Sequence, residues 1–276
     1  MERRSPALTL FIYLSALLLA ALLLIPILWL FVMSVSSAAD LATKPLRWWP
    51  ADLNFSRYRL LLTWEPNTMG QAFLAAIRNS LAVAFMAVLA ALLVAVPAAW
   101  AVSRHPQLEW SLYGLILTYM LPPVSLAVPL YLGLSWLGLL NTTYGLALIY
   151  LSILAPFTAW LLKSGFDAIP RDIEASARLD QILRILILPL AAPALSTAAL
   201  FALLLSWDEF FYALLFTADQ HAKTVTVAIA DIAGGRVSDY GLIAAAGVLA
   251  ALPPLAIGLL MQRAIVSGLT SGGVKG

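Results

Sequence analysis

Two adjacent carboxylates stand inside a long apolar stretch of this sequence. Asp208 and Glu209 lie in segment 188–218, whose other residues are mainly aliphatic, aromatic or small. Because a charge at membrane depth is costly, such residues usually face a cavity or a partner and serve transport or proton transfer. The alternative is a helix near the outer membrane surface, with both side chains solvated or bonded to backbone. The residues alone leave both interpretations open.

Other reaction chemistry finds little support among the side chains. The absence of cysteine excludes disulfides, thiolate metal sites and cysteine nucleophiles. The two histidines, His105 and His221, are far apart in sequence, which argues against a histidine metal site. No G-x-x-x-x-G-K-[ST] motif occurs, so the chain cannot hydrolyse ATP through a P-loop by itself. Neither H-E-x-x-H nor a nucleophile with a base is visible, so a membrane-embedded hydrolase is not supported.

The composition is that of a polytopic membrane protein. Hydrophobic residues make up 62% of the 276 residues and charged residues only 11%, with a mean hydropathy of +0.93. A soluble domain carries about 25% charged residues. The net charge of +2 is dispersed, without the basic stripe that nucleic-acid binding requires.

We predict an all-α protein whose single transmembrane domain covers residues 1–276. The six predicted membrane helices are 8–35, 73–102, 110–140, 144–163, 188–218 and 241–266. Pro122, Pro123 and Pro129 fall in the third helix and predict a break or kink, which is tolerated where the helix faces protein or a water-filled cavity.

The distribution of Lys and Arg gives the predicted orientation. With both termini in the cytoplasm, nine of the 16 basic residues lie inside and seven outside. The outer segments are then 36–70 and 219–240, and the long segment 167–193 is cytoplasmic.

Segment 167–193 is the only long polar interruption in the second half of the chain. It carries charges of both signs, and Ile169, Ile173 and Ala177 recur at helical spacing, which predicts an amphipathic helix. Such a helix between two spans is either a solvated loop or a docking surface for a soluble partner.

The residues of this segment resemble the coupling loop of permease subunits of ATP-binding-cassette importers. That loop carries Glu-Ala-Ala, then Asp-Gly, then a later Leu-Pro, and meets the ATPase. The resemblance assigns ATPase coupling to Glu174, Ala175, Ser176, Arg178, Asp180, Leu188 and Pro189.

The sequence departs from the family pattern after Asp180. Asp180 is followed directly by Gln181, and the family glycine with about four further residues is absent. Four residues correspond to one helical turn, or about 6 Å of rise. Either the docking element is shorter in this protein, or the sequence lacks residues of the loop. The shape of the docking element depends on which alternative is true.

Three further stretches extend the resemblance over most of the chain. Leu132–Thr142 is similar to the junction of the third and fourth helices in carbohydrate importers, and Ser206–Leu214 to their fifth helix, where Trp-Asn-Glu-Phe is usual. Gly268–Gly276 is similar to the C-terminal tail of the maltose-type subunit. The chain is therefore identified as a member of the second permease subunits of maltose- or trehalose-type sugar importers.

This resemblance implies an assembly and a location. The partners would be a homologous second permease, two ATPase subunits, an extracytoplasmic sugar-binding protein that outer segment 219–240 touches, and membrane lipid, all at the bacterial inner membrane. ATP and Mg would be bound by the ATPases, and this chain would hold no cofactor, no metal and no catalytic residue. The tail residues expected between the ATPases are Gly268, Thr270, Lys275 and Gly276.

The resemblance also gives the carboxylate pair a substrate, because a sugar offers hydroxyl edges to carboxylates and apolar faces to aromatic rings. The substrate-path candidates are Tyr119, Ser125, Trp207, Asp208, Glu209 and Tyr212. A proton-coupled secondary transporter that uses Asp208 and Glu209 is the alternative, although such carriers usually contain internal repeats, and none is evident here.

Overall fold

The computed structural model describes residues 5–44, 47–170, 188–235 and 239–271, and these residues are almost entirely helical. Pro106–Leu108 and Leu188–Leu190 are single short turns. The longer helices, in chain order, are α1 (Pro6–Val35), α2 (Ala38–Ala42), α3 (Ser56–Leu62), α4 (Met69–Arg104), α5 (Glu109–Tyr119), α6 (Pro123–Trp136), α7 (Thr143–Asp167), α8 (Ala192–Asp208), α9 (Phe211–Phe216), α10 (Val225–Ala233) and α11 (Tyr240–Ser271).

The all-α prediction is confirmed, and most predicted spans coincide with long apolar helices. Within the described residues, α1, α4, α7 and the part of α11 up to Gln262 are long and apolar enough to cross a membrane. The bent pair α5–α6 makes a fifth candidate if it is one span. The orientation of the termini stays a prediction.

The third predicted span, 110–140, is broken where the prolines indicated. Pro106–Tyr119 and Pro123–Trp136 meet at 94°, with Leu121 and Pro122 at the corner. Pro123 occupies the first turn of α6, where its missing N–H costs no helical hydrogen bond. Pro129 lies inside α6, so only one of the two proline sites interrupts the helix.

The fifth predicted span, 188–218, differs from the expected single helix. It consists of the turn at Leu188–Leu190, the 17-residue helix α8 and the short helix α9. Glu209, in extended conformation, and Phe210 separate α8 from α9. Outer segment 219–240, expected to be a loop, contains the helix α10.

The described parts of Ala72–Ala228 and Leu252–Gly276 form one compact unit. One apolar cluster joins α4, α6, α7, α8, α9 and the start of α10 around Tyr150 and Leu146. A second joins α4, α5, α7 and α8 around Phe166 and Leu162. Helix α7 contributes to both and packs against α5 and α8, so it is the central helix of this unit.

The described parts of Met1–Gln71 and Ile229–Ala251 form the other compact unit, which contains a buried arginine. Arg57 in α3 is 7% exposed, and its Nε and Nη2 bind the two Asp239 carboxylate oxygens at 3.0 and 2.9 Å. Its Nη1 donates to the carbonyls of Ser34 and Ser36 at the end of α1. Arg57 therefore ties the end of α1 to the start of α11.

Two features adapt the start of α11 to this arginine. Asp239 Oδ1 accepts from the backbone N–H groups of Gly241 and Leu242 at 3.0 and 3.2 Å. A Cβ on Gly241 would lie 2.2 Å from the Arg57 guanidinium carbon, so only glycine leaves room for it. Partial burial by itself raises the pKa of Asp239, but the hydrogen bonds and charge of Arg57, with the two amides, lower it below 3.8 overall.

Replacing Asp239 by Asn should destabilise the protein, because it leaves the buried Arg57 without a counter-charge. We expect a loss of about 2 kcal/mol, less than for a fully buried pair because Asp239 is partly exposed. Thermal unfolding of the purified protein at pH 7 measures this, with Asp52→Asn, an exposed position in the same unit, as the control.

The pH dependence gives a second check on the same pair. A carboxyl group with a lowered pKa contributes stability above its unfolded pKa and loses it as pH falls through the folded pKa. The difference in the free energy of unfolding between wild type and Asp239→Asn should therefore be constant near neutrality. It should become smaller only below pH 3.8. Equal stability of the two proteins at pH 7 would contradict this account.

Candidate functional site

Most of the predicted ATPase-coupling residues lie outside the described part of the chain. These are Glu174, Ala175, Ser176, Arg178 and Asp180, together with the junction between Asp180 and Gln181. Leu188 and Pro189 are described as part of the turn that precedes α8, and Pro189 is exposed. Their coupling role stays a prediction.

The predicted C-terminal tail is described only in its first part. Helix α11 continues to Ser271, past the predicted end at Val266, so Gly268 and Thr270 have helical backbone. Lys275 and Gly276 lie outside the described residues. The expected position of the tail between the ATPases stays a prediction.

The break between α8 and α9 assigns different surroundings to the two carboxylates. Glu209 Oε1 accepts from the Tyr212 N–H at 2.9 Å, and Oε2 accepts from the Ala213 N–H at 3.2 Å. The first N–H groups of a helix have no partner within it, so this carboxylate caps α9. The Glu209 carbonyl, freed where α8 ends, accepts from the Thr226 hydroxyl at 2.9 Å. Glu209 thus satisfies the backbone at the break.

Asp208 is the carboxylate that is left available. It is the last residue of α8, its side chain is exposed, and it makes no hydrogen bond or ion pair with any residue that the structure describes. Of the other substrate-path candidates, Tyr119 and Ser125 are exposed on the two sides of the corner between α5 and α6.

Two of the aromatic candidates, Trp207 and Tyr212, are buried packing residues. Trp207 and Tyr212 are 5% and 3% exposed. The Tyr212 ring stacks on Phe216 with centroids 5.7 Å apart, and its hydroxyl makes a long contact of 3.5 Å to the Pro123 carbonyl. This contact brings α9 against the first residue of α6, so the two broken spans meet here.

The sequence analysis missed the side chains that hold the segment between α9 and α10. The side-chain Oδ1 of Asn141 accepts from the Ala218 and Asp219 N–H groups at 2.8 and 3.4 Å. The backbone N–H of Asn141 donates to the Phe216 carbonyl. Asn79, 3% exposed in α4, donates to the carbonyls of Gln220 and Lys223 at 2.9 and 3.1 Å. Both amides bind backbone more than 70 residues away, and only their presence in an apolar setting could have flagged them.

The carboxylates and histidines of the described residues do not gather into a metal site. No group of three or more His, Cys, Asp or Glu side chains is close enough there to hold an ion. What this region offers chemically is one free carboxylate, hydroxyl groups and aromatic rings beside two helix breaks.

Replacing Glu209 by Ala should lower stability by about 1–2 kcal/mol, because two N–H groups of α9 lose their acceptor. Glu209→Gln keeps one acceptor oxygen and should fall between Ala and wild type. Asp208→Ala, at the adjacent exposed position, is the matched control and should leave the thermal midpoint unchanged. If Glu209→Ala and Asp208→Ala unfold at the same temperature, the capping role is wrong.

Comparison with known proteins identifies the family. Residues 87–271 match the family described as "Binding-protein-dependent transport system inner membrane component". The match covers both broken predicted spans, α7, segment 171–187 and the whole of α11.

Curated relatives extend the similarity over almost the full length. The chain is 34% identical to the trehalose transport system permease protein SugB of Mycobacterium tuberculosis, covering 92% of this chain and 93% of the relative. It is 35% identical to the trehalose/maltose transport system permease protein MalG of Thermococcus litoralis, covering 95% of each. It is 33% identical to the sulfoquinovosyl glycerol transport system permease protein SmoH of Agrobacterium fabrum, covering 92% and 89%.

A solved structure has the same fold. The protein superposes with a TM-score of 0.75 and 23% identity on a chain of a bacterial ABC transporter that imports the acidic polysaccharide alginate, covering 95% of this chain and 99% of that one. These similarities confirm the predicted resemblance to permeases of importers. The chain belongs to the binding-protein-dependent transport system inner membrane components, and it is a multi-pass protein of the inner membrane.

Proposed function

We propose that this chain is the second permease subunit of an ATP-driven importer of a mono-, di- or oligosaccharide. The observation that carries the proposal is the full-length similarity to permeases of trehalose and trehalose/maltose transport systems. The chain would form half of the translocation path and pair with a homologous permease, two ATPase subunits and an extracytoplasmic sugar-binding protein. ATP and Mg would be bound and used by the ATPases.

The competing function, proton-coupled secondary transport, has less support. It requires Asp208 and Glu209 as a titrating pair, and both Glu209 oxygens are occupied by backbone N–H groups of α9. The named relatives are permeases of transport systems, and the family is defined by dependence on a binding protein.

The test of function is reconstitution. The complex that co-purifies with the tagged chain is placed in proteoliposomes, and uptake of labelled trehalose or maltose is measured. Uptake should require ATP, Mg and the binding protein, and it should survive a protonophore. Uptake that follows a proton gradient without ATP would overturn the proposal in favour of the carrier.

The same preparation tests coupling through Glu174. Its position in the charged segment between α7 and α8, with small neighbours Ala175 and Ser176, suits contact with a basic group of an ATPase. Glu174→Lys should uncouple uptake from ATP hydrolysis while the subunits still assemble. The control is Glu65→Lys, the same charge reversal at an exposed outer position. Normal uptake by Glu174→Lys would rule out this role.

The C-terminal tail is tested in the same preparation. Normal uptake after removal of residues 272–276 would rule out a role for the tail between the ATPases.

Asp208 is proposed as the sugar-facing carboxylate of the path, with Tyr119 and Ser125 exposed at the other broken span. Asp208→Ala should reduce maximal uptake by about tenfold, because a hydrogen bond to a charged group is lost. The thermal midpoint and the affinity of the complex for its binding protein should not change. Uptake at the wild-type rate would remove Asp208 from the path.

A further inference from the structure

The end of the helix bundle from which segment 171–187 departs carries a linked set of polar side chains. We call this set the clasp, and it consists of Ser103, Arg104, Glu109, Lys163 and Asp167. Asp167 Oδ1 accepts from Ser103 Oγ at 2.6 Å, and Oδ2 accepts from Lys163 Nζ at 2.8 Å. Lys163 Nζ also lies 3.4 Å from Glu109 Oε1. The last two turns of α7 are thus joined to the end of α4 and the start of α5.

Arg104 fixes the direction in which the chain leaves α7. Its Nη1 donates to Ser103 Oγ at 2.9 Å and to the Phe166 carbonyl at 3.2 Å, and its Nη2 reaches the Ile169 carbonyl at 3.5 Å. These carbonyls belong to the final turn of α7 and the residues just beyond it, where a helix has free acceptors and a partial negative charge. The guanidinium therefore caps α7 at the point where the coupling segment begins.

The residues that flank the coupling segment, segment 171–187, pack in one apolar cluster next to the clasp. Ile169, before the segment, and Ala191, after it, are 8% and 2% exposed and belong to the cluster built around Phe166 and Leu162. A Cβ on Gly165 would lie 2.3 Å from the Ala194 Cβ, so α7 and α8 touch here without space for a side chain between them. The described residues on the two sides of segment 171–187 therefore pack in the same apolar cluster.

The clasp fixes the relative orientation of the helix ends more than it contributes to the free energy of folding. The side chains of Lys163, Asp167 and Glu109 are 20%, 39% and 43% exposed, and partly exposed ion pairs of this kind contribute about 0–1 kcal/mol. Apolar packing alone would keep the helices together, but it allows them to slide and rotate. The Asp167 carboxylate accepts hydrogen bonds from Ser103 of α4 and Lys163 of α7, and Lys163 also forms an ion pair with Glu109 of α5, so directional contacts among three helices resist such movement.

We propose that the clasp residues are positioning residues for energy coupling, with Arg104 and Lys163 as its centre. The clasp makes the ends of α4, α5 and α7 one rigid body, so that a displacement of segment 171–187 by the ATPases moves all three helices together. This inference rests on the proposed function, because it requires that ATPases act on that segment.

The test is the number of sugar molecules imported per ATP hydrolysed by the reconstituted complex. Lys163→Met keeps most of the side-chain length but removes both ion pairs, and it should lower this ratio by about threefold to tenfold. Lys163→Arg keeps the charge and the reach and should restore most of the ratio. Lys44→Met, the same substitution at an exposed outer lysine, is the matched control and should behave as wild type.

A second variant covers the case in which Lys163→Met does not assemble. Asp167→Asn has the shape of the native side chain and keeps an acceptor for Ser103, but it loses the charge that holds Lys163. It should assemble normally and lower the ratio in the same direction by a smaller factor, about twofold.

Two results would overturn the inference. One is a wild-type ratio in both Lys163→Met and Asp167→Asn. The other is a parallel fall of uptake and hydrolysis with less assembled complex, which is the signature of a purely structural role. Failure of the proposed function is seen separately, because wild-type uptake would then be independent of ATP before any variant is compared.

Discussion

A chain that breaks a helix in apolar surroundings must supply new partners for the backbone groups that the break releases, because an unpaired buried polar group is costly. At the break between α8 and α9 these partners are the Glu209 carboxylate, which takes two N–H groups, and the Thr226 hydroxyl, which serves the Glu209 carbonyl. At the break between α5 and α6, proline removes one donor, and the Pro122 carbonyl accepts from the Ser125 N–H at 2.9 Å. The two breaks meet through Tyr212 and Pro123, so the irregular backbone is gathered in one place within its compact unit.

The two breaks differ in how far sequence could foresee them. Pro122-Pro123 predicts the break between α5 and α6, because proline lacks an N–H and restricts the backbone of the residue before it. The second has neither proline nor glycine, and nothing in the helical propensity of Ser206 to Phe210 requires an interruption. Its one signal is an acidic residue three positions before an N–H that it caps, and Glu209 was interpreted instead as chemistry of the path. Both roles draw on the same property, since a carboxylate in apolar surroundings must find donors, and here the backbone provides them.

Long-range pairs were the part that sequence patterns could not provide. Arg57 and Asp239 are 182 residues apart, and nothing in the local sequence around either residue predicts their pairing. Lys163 and Asp167 stand four residues apart on α7, so their pairing follows from helical spacing. Their links to Ser103 and Glu109 depend on how α4 and α5 pack and have no local signature. Periodicity thus predicts which residues share a helix face, whereas the partner of that face is set by tertiary packing.

Helix α7 connects the two regions on which the proposals depend. Its start lies beside Asn141, which holds the chain after α9, and its buried Tyr150 lies in the apolar cluster that also contains Tyr212 of α9. Its end carries Lys163 and Asp167 of the clasp. The most apolar part of α7 is 56% buried, against 6–28% in the other candidate spans among the described residues, so α7 is the most buried of these spans. A 25-residue helix is about 37 Å long. Under the proposal above, a movement imposed at the clasp would pass along α7 toward the helix breaks, and on the way it would cross Pro156, which lies inside the helix.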